Sequence, residues 1–173
     1  MKKLYYPLLG IIIFLFAGCS NNSDFDPTYK CDMDAKGDWI NCKTIGKFSG
    51  VTGDYCSRVD SNYEYSFGFS KLVSEISPDP IKRIKATVWV KLTDLDKKCS
   101  FVVSVNGHDN KNIFWSGHDI NPLVKKVDEW VKIEVEDVLP DFDSEGASVG
   151  ILVWNLNKTT AYVDDYEIRF LKE

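Results

Sequence analysis

Residues 148–170 read SVGILVWNLNKTTAYVDDYEIRF, two alternating apolar runs joined by a short polar stretch. Side chains alternate across a strand with a period of two, so each run predicts a strand with one buried face. The polar stretch between them predicts a β-hairpin. Under that period Tyr162, Asp164, Tyr166, Ile168 and Phe170 share one face of the second strand. Asp164 therefore points where the core-forming side chains point. A carboxylate in that row costs on the order of several kcal/mol unless it is paired or bound to a metal, so this position calls for a cation.

The rest of the chain has the same texture. Residues 31–43 predict a strand, a glycine-containing turn and a short strand around Trp39. From 63 to 69 the chain alternates, with Tyr63, Tyr65, Phe67 and Phe69 on one face. Ser77-Pro78-Asp79-Pro80 is a turn, because proline fixes φ and removes a donor. From 84 to 92, Ile84, Ala86, Val88, Val90 and Leu92 point inward while Lys85, Thr87, Trp89 and Lys91 point outward. Further strands are predicted over 101–105, 113–115 and 130–138, with the longest loop at 117–128. Eight or nine short strands without an amphipathic helix predict an all-β sandwich, with a connectivity that periodicity does not reveal.

The N-terminus reads as an export leader. Lys2 and Lys3 precede the apolar run Leu8–Ala17, which is shorter than the ~20 residues a membrane span needs. The run ends in Phe16-Ala17-Gly18-Cys19, and two small residues before a cysteine resemble the lipobox of bacterial lipoproteins. That resemblance implies cleavage after residue 18 and acylation of Cys19 (diacylglycerol and palmitate). Ser20 after the cysteine, rather than aspartate, implies sorting to the outer membrane. Residues 19–29 are polar and predict a tether, leaving 30–173 as one domain.

The leader carries two of the 21 basic residues and none of the 26 acidic ones, so the remaining chain has a net charge near −7. That balance speaks against nucleic acid, whose binding rests on neutralised phosphates, and against electrostatic adhesion to anionic lipid. Membrane attachment is left to the lipid anchor. Four cysteines remain, Cys31, Cys42, Cys56 and Cys99, an even number in an exported chain. Of three possible pairings, Cys31 with Cys42 and Cys56 with Cys99 are the expected ones. Zinc is disfavoured by the absence of a CxxC pair.

Several segments, in order, resemble the galactose-binding-like jelly rolls, a superfamily that includes carbohydrate-binding modules. Residues 52–60 (TGDYCSRVD) resemble its SGxYS loop and strand, with Cys56 where serine is usual. Tyr65-Ser66-Phe67, the run 85–90, the run 129–132 and the run 162–166 resemble its later strands, while Met33-Asp34 departs from a frequent Phe-Glu. The resemblance implies a structural calcium ion held by the carboxylates of Asp34 and Asp164 and the backbone carbonyls of Thr52 and Asp54. Clustered oxygen donors suit calcium. Hydrogen bonds to backbone amides, or a pair with Arg58, would satisfy Asp164 instead.

Sugar-binding modules stack pyranose faces on exposed aromatic rings flanked by polar groups. Trp89 and Trp154, each opposite the apolar row of its strand, are the candidates, with Lys91 and Asn155 beside them. Packing is the competing role for both indoles. Trp115 and Trp130 flank the long loop as a possible loop-tip site, and Trp39 is assigned to the core. Catalytic signals are absent: His108 and His118 fall in polar stretches, no nucleophile elbow or HExxH occurs, and the acids between Asp137 and Glu145 read as a solvated loop rather than a glycosidase pair. The expected protein is a non-catalytic, lipid-anchored, calcium-stabilised binding module for glycan. The alternative is a cell-surface module that contacts a protein partner or serves a structural role.

Overall fold

The structure, a computed structural model, describes residues 26–34 and 39–172. The expected leader, Cys19 and most of the tether lie outside the described residues, as do residues 35–38, where the sequence predicts a turn. Among the described residues no helix is long and apolar enough to cross a membrane.

Ten strands build two antiparallel sheets. They are β1 (Thr28–Cys31), β2 (Ile45–Gly46), β3 (Cys56–Val59), β4 (Phe69–Leu72), β5 (Arg83–Leu92), β6 (Cys99–Asn106), β7 (Asn112–Asp119), β8 (Trp130–Val138), β9 (Ser148–Asn155) and β10 (Ala161–Leu171). One sheet has the order β2-β3-β10-β5-β8, with β1 also on β10; the other has the order β4-β9-β6-β7. The predicted all-β sandwich is thus the fold. A four-residue helix α1 (Val73–Ile76) follows β4, and single 3-10 turns occupy 42–44 and 121–123, the latter inside the expected long loop.

The two inward rows close on one core. Ile84, Ala86, Val88, Val90 and Leu92 of β5 and Ile133 and Val135 of β8 face Phe101, Val103 and Val105 of β6 and Val149, Ile151 and Val153 of β9. Trp39 is in that core as expected, stacked on Phe67 at 5.6 Å and edge-on to Tyr166.

The structure corrects three expectations. First, 148–170 is not a hairpin. β9 and β10 belong to different sheets, and residues 156–160 carry the chain across the sandwich. Each run needs one buried face, and either sheet supplies it. Second, β10 does not keep one parity. Asp164 pairs with Trp89 and Glu167 with Thr87, so two residues of β10 oppose Val88 alone, a β-bulge. Asp165 at its centre adopts φ 47°. Tyr162 and Asp164 thereby share the outer face with Trp89 and Lys91, whereas Tyr166, Ile168 and Phe170 turn inward.

Third, the alternation over 63–69 breaks at Ser66. Tyr65 bridges to Trp154 on the outer face, Ser66 is buried, and Phe67 and Phe69 enter the core. The Ser66 hydroxyl donates to the Phe67 carbonyl at 2.7 Å, accepts from the Val153 amide at 2.9 Å and meets the Tyr166 hydroxyl at 3.0 Å. This joins the sheets through groups that have no water to turn to. A Ser66→Ala variant is expected to lose about 1–3 kcal/mol of unfolding free energy in urea, because it strands the Tyr166 hydroxyl and the Val153 amide; with Tyr166→Phe in the background the same substitution is expected to cost less.

Candidate functional site

The loop between β2 and β3 folds over the bulge and buries Asp164 completely. Two main-chain amides satisfy its carboxylate: Val51 donates to Oδ2 at 2.6 Å and Asp165 to Oδ1 at 2.9 Å. Thr52 donates its hydroxyl to Asp165 at 2.7 Å, which fastens the loop to the bulge from the other side. Arg58 is not the partner, since its guanidinium pairs with Asp60 at 3.1 Å. Burial lifts the Asp164 carboxyl to about 6, with the amide donors opposing the shift.

The expected metal ligands fall on this loop in part. Gly50 lies against Asp164 Oδ2, the Thr52 carbonyl and the Tyr55 carbonyl, and a Cβ there would stand 2.6 Å from each carbonyl. Three oxygens thus converge where only glycine fits. Asp34 lies over Gly53, and its Oδ1 accepts from the Asp54 amide at 3.3 Å. The Asp54 carbonyl, an expected ligand, accepts instead from the Ser49 amide at 3.2 Å, and its carboxylate pairs with Lys47 at 3.0 Å. The Tyr55 carbonyl, rather than that of Asp54, lies beside Gly50 with the Thr52 carbonyl and Asp164 Oδ2. Among the described residues no three acidic, histidine or cysteine side chains gather. Oxygens of one or two carboxylates plus carbonyls fit a hard cation of the calcium type and no softer one.

The expected ligand-binding residues separate. Trp89 and Lys91 lie on the outer face of the sheet that holds β5 and β10, whereas Trp154 and Asn155 belong to β9 in the other sheet. Asn155 is not on a surface at all. It is fully buried, donates to the Thr159 and Asp60 carbonyls at 2.5 and 3.4 Å and accepts from the Thr159 amide at 3.1 Å, clamping the crossing between sheets. Lys91 is committed too, its ammonium standing 4.7 Å from the ring centres of both Trp130 and Tyr162. Trp130 therefore packs under Lys91 rather than forming a loop-tip site.

Trp154 has other company. It stacks with Tyr65, ring centres 6.2 Å apart and planes at 23°, and Tyr65 is 47% exposed. On the same outer face Trp115 of β7 is 52% exposed and folds its indole over Gly117. The register puts Ser70, Gly150, Ser104 and Trp115 in one cross-strand row and Trp154, Ser100 and Asp119 in another. With strands about 4.8 Å apart and about 3.4 Å per residue, Trp115 and Trp154 stand roughly 17 Å from each other, with Leu152, Val102 and Gly117 in the row between them. Asp119 is the one charged residue in those two rows. Its alternation with Phe67 places Tyr65 inside on sequence grounds, and Trp115 falls at the end of a predicted short strand beside the long loop.

The histidine and cysteine expectations also change. His118 is in β7, not a loop, and its Nε2 lies 2.9 Å from Asp137 Oδ2 and 3.1 Å from Ser116 Oγ. Asp137 is 8% exposed, so it is a paired acid of β8 rather than part of a solvated loop. Both contacts use one ring nitrogen, which prevents the relay through two nitrogens that a Ser-His-Asp triad requires. The set ties the edge strands of the two sheets. The expected disulfides, Cys31 with Cys42 and Cys56 with Cys99, are not formed. Cys56 lies in β3 near Asp164 and Lys91, whereas Cys99 lies in β6 of the other sheet, its thiol directed to Asn155 at 3.8 Å.

No family model matches the sequence, and no curated protein matches it. Solved structures do match the fold. The CBM22-2 xylan-binding domain from Paenibacillus barcinonensis Xyn10C superposes with a TM-score of 0.54 at 14% identity, over 83% of this chain and 99% of that chain. The CBM22-1 and GH10 modules of Clostridium thermocellum endo-1,4-beta-D-xylanase 10B, complexed with xylohexaose, superpose at 0.50 and 16% identity, over 82% of this chain and 24% of that one. The chain thus has the jelly-roll sandwich fold of carbohydrate-binding modules, as the sequence resemblance implied.

Burial pushes the Cys56 thiol up to about 12 and the Cys99 thiol up to about 11, while Cys42 is exposed. In the native protein a maleimide is expected to label Cys42 within minutes and to reach Cys56 and Cys99 only after denaturation, since the thiolate is the reactive form. Mass spectrometry of the labelled chain reads this out; a native Cys56–Cys99 crosslink in that spectrum would contradict it.

Proposed function

We propose that this is a non-catalytic glycan-binding module whose ligand lies across the outer face of β4-β9-β6-β7. The observation that carries this reading is the placement of Tyr65, Trp154 and Trp115 on one outer face, along rows that hold Ser70, Ser100, Ser104 and Gly150. Apolar faces of sugar rings stack on the aromatic rings, and the serine hydroxyls exchange hydrogen bonds with sugar hydroxyls. The scarcity of charge in these rows favours a neutral polysaccharide. The fold of the xylan-binding domain from Paenibacillus barcinonensis supports the same reading. With the acylated Cys19 read from the sequence, the module would be held at the outer membrane and would tether glycan to the cell surface.

Binding to a glycan array and retardation in polysaccharide gels test the site. Trp154→Ala, Tyr65→Ala and Trp115→Ala are each expected to weaken binding at least roughly ten-fold, about 1.4 kcal/mol, without lowering the melting temperature by more than a few degrees. Undiminished binding in all three would move the ligand off this face. Binding of a protein but no glycan would favour the interaction-module alternative.

We further propose that calcium sits where Asp164 meets the Gly50–Tyr55 loop, with the Asp164 carboxylate and the Thr52 and Tyr55 carbonyls as ligands and Asp34 alongside. The ion would supply positive charge that keeps the buried carboxylate ionised, pinning the loop to β10. Without it, the raised pKa means that the folded state binds a proton more tightly than the unfolded state. Stability from that proton is present below about 3.9 and is lost as pH rises toward 6. A cation reverses the trend, because it competes with the proton. Calcium is accordingly expected to raise the melting temperature at pH 7.5, to do so much less at pH 5, and to have no effect on Asp164→Asn. A melt indifferent to chelator at pH 7.5 would remove the metal from the reading.

A further inference from the structure

We propose that the module carries a second glycan-binding site on the opposite sheet, in the cleft beside Trp89, and thereby bridges two neutral polysaccharide chains. This rests on the glycan-binding reading given above and extends it to a face that reading does not use. A cleft of ≈ 760 Å³ opens on the outer face of the sheet that contains β5 and β10, and its size falls in the range of about 300–1,000 Å³ usual for small-ligand sites.

The cause is the bulge. β3 covers β10 only along Ala161–Val163 and β1 only along Thr28–Cys31 opposite Tyr166–Arg169, so the edge of β10 at Asp164 and Asp165 is paired with neither. Trp89 stands across from Asp164 on β5, its indole forming part of the wall. Around it the cleft presents Thr87, Lys132, Asp165, Glu167 and Lys30.

Three of the charged side chains here, Lys30, Glu167 and Asp165, already have partners within the protein. Lys30 pairs with Glu167 at 3.2 Å, Arg169 holds the other side of Glu167 at 2.6 Å, and Asp165 takes the Thr52 hydroxyl. A charged ligand would have to break these pairs. An uncharged, hydroxyl-rich ring would not, since carboxylates accept and ammonium groups donate to hydroxyls while the indole takes the apolar ring face. Trp89 and Trp154 point away from each other on sheets packed about 10 Å apart, so a single extended chain does not reach both. Two sites on one small module act as a crosslink.

The test is calorimetric titration of the protein with hexasaccharides of xylan, β-glucan and mannan, with light scattering on mixing it with the corresponding soluble polymers. The wild type is expected to bind two oligosaccharides per chain and to make the polymer scatter. Trp89→Ala and, separately, Trp154→Ala are expected to halve the stoichiometry and abolish scattering while still binding one oligosaccharide. Lys132→Ala, a change at an exposed side chain, is expected to weaken only the site beside Trp89, by roughly ten-fold. One site in the wild type, unchanged in Trp89→Ala and Lys132→Ala, would overturn the second site and leave the glycan-binding reading standing. No binding by the wild type would overturn both.

Discussion

An extra residue in the last strand decides how much of this molecule is arranged. Where Asp165 adopts a left-handed backbone, β10 slips by one against β5, and every side chain beyond it changes face. Asp164 is left on the outer side, next to Trp89, and would be a solvent-facing acid if the Gly50–Tyr55 loop did not cover it. The loop stays there because the two acids receive its donors: the Val51 amide donates to Asp164, and the Thr52 hydroxyl to Asp165. Carboxylate and loop thus hold each other, and glycine at 50 is required because carbonyl and carboxylate oxygens crowd the place of its Cβ.

The same slip organises the core. Tyr166 turns inward to meet Ser66, whose hydroxyl also takes the Val153 amide of the other sheet. That small polar knot forces the 63–69 segment off its alternation and throws Tyr65 outward against Trp154. The aromatic platform and the buried acid are therefore consequences of one backbone irregularity, felt on opposite sides of the sandwich. The cleft beside Trp89 is a third consequence, since neither β1 nor β3 pairs with the bulged edge.

Polar side chains that resembled ligand-seekers in the sequence prove to be fasteners. Asn155 clamps the crossing from β9 to β10, Lys91 lies between two aromatic rings, and His118 ties β7 to Asp137 of β8. What remains on the four-stranded face is a set of rings along rows in which Asp119 is the one charged residue. This division between committed and uncommitted side chains separates the fold scaffold from the surface proposed to bind glycan.

Alternation over 84–92, 130–138 and 148–155 made the strands legible from the sequence, because burying one face of a strand requires apolar residues at every second place. For the same reason the all-β sandwich was legible; the sequence also marked Asp164 as a carboxylate whose burial needs compensation, and two main-chain amides provide it. Three things depended on tertiary structure: the sheet to which each strand belongs, the bulge that reverses Asp164 and Tyr166, and the exposure of Tyr65. Periodicity says that a strand has a buried side, but pairing partners are chosen by contacts between residues distant in sequence, and a single inserted residue changes which side is which.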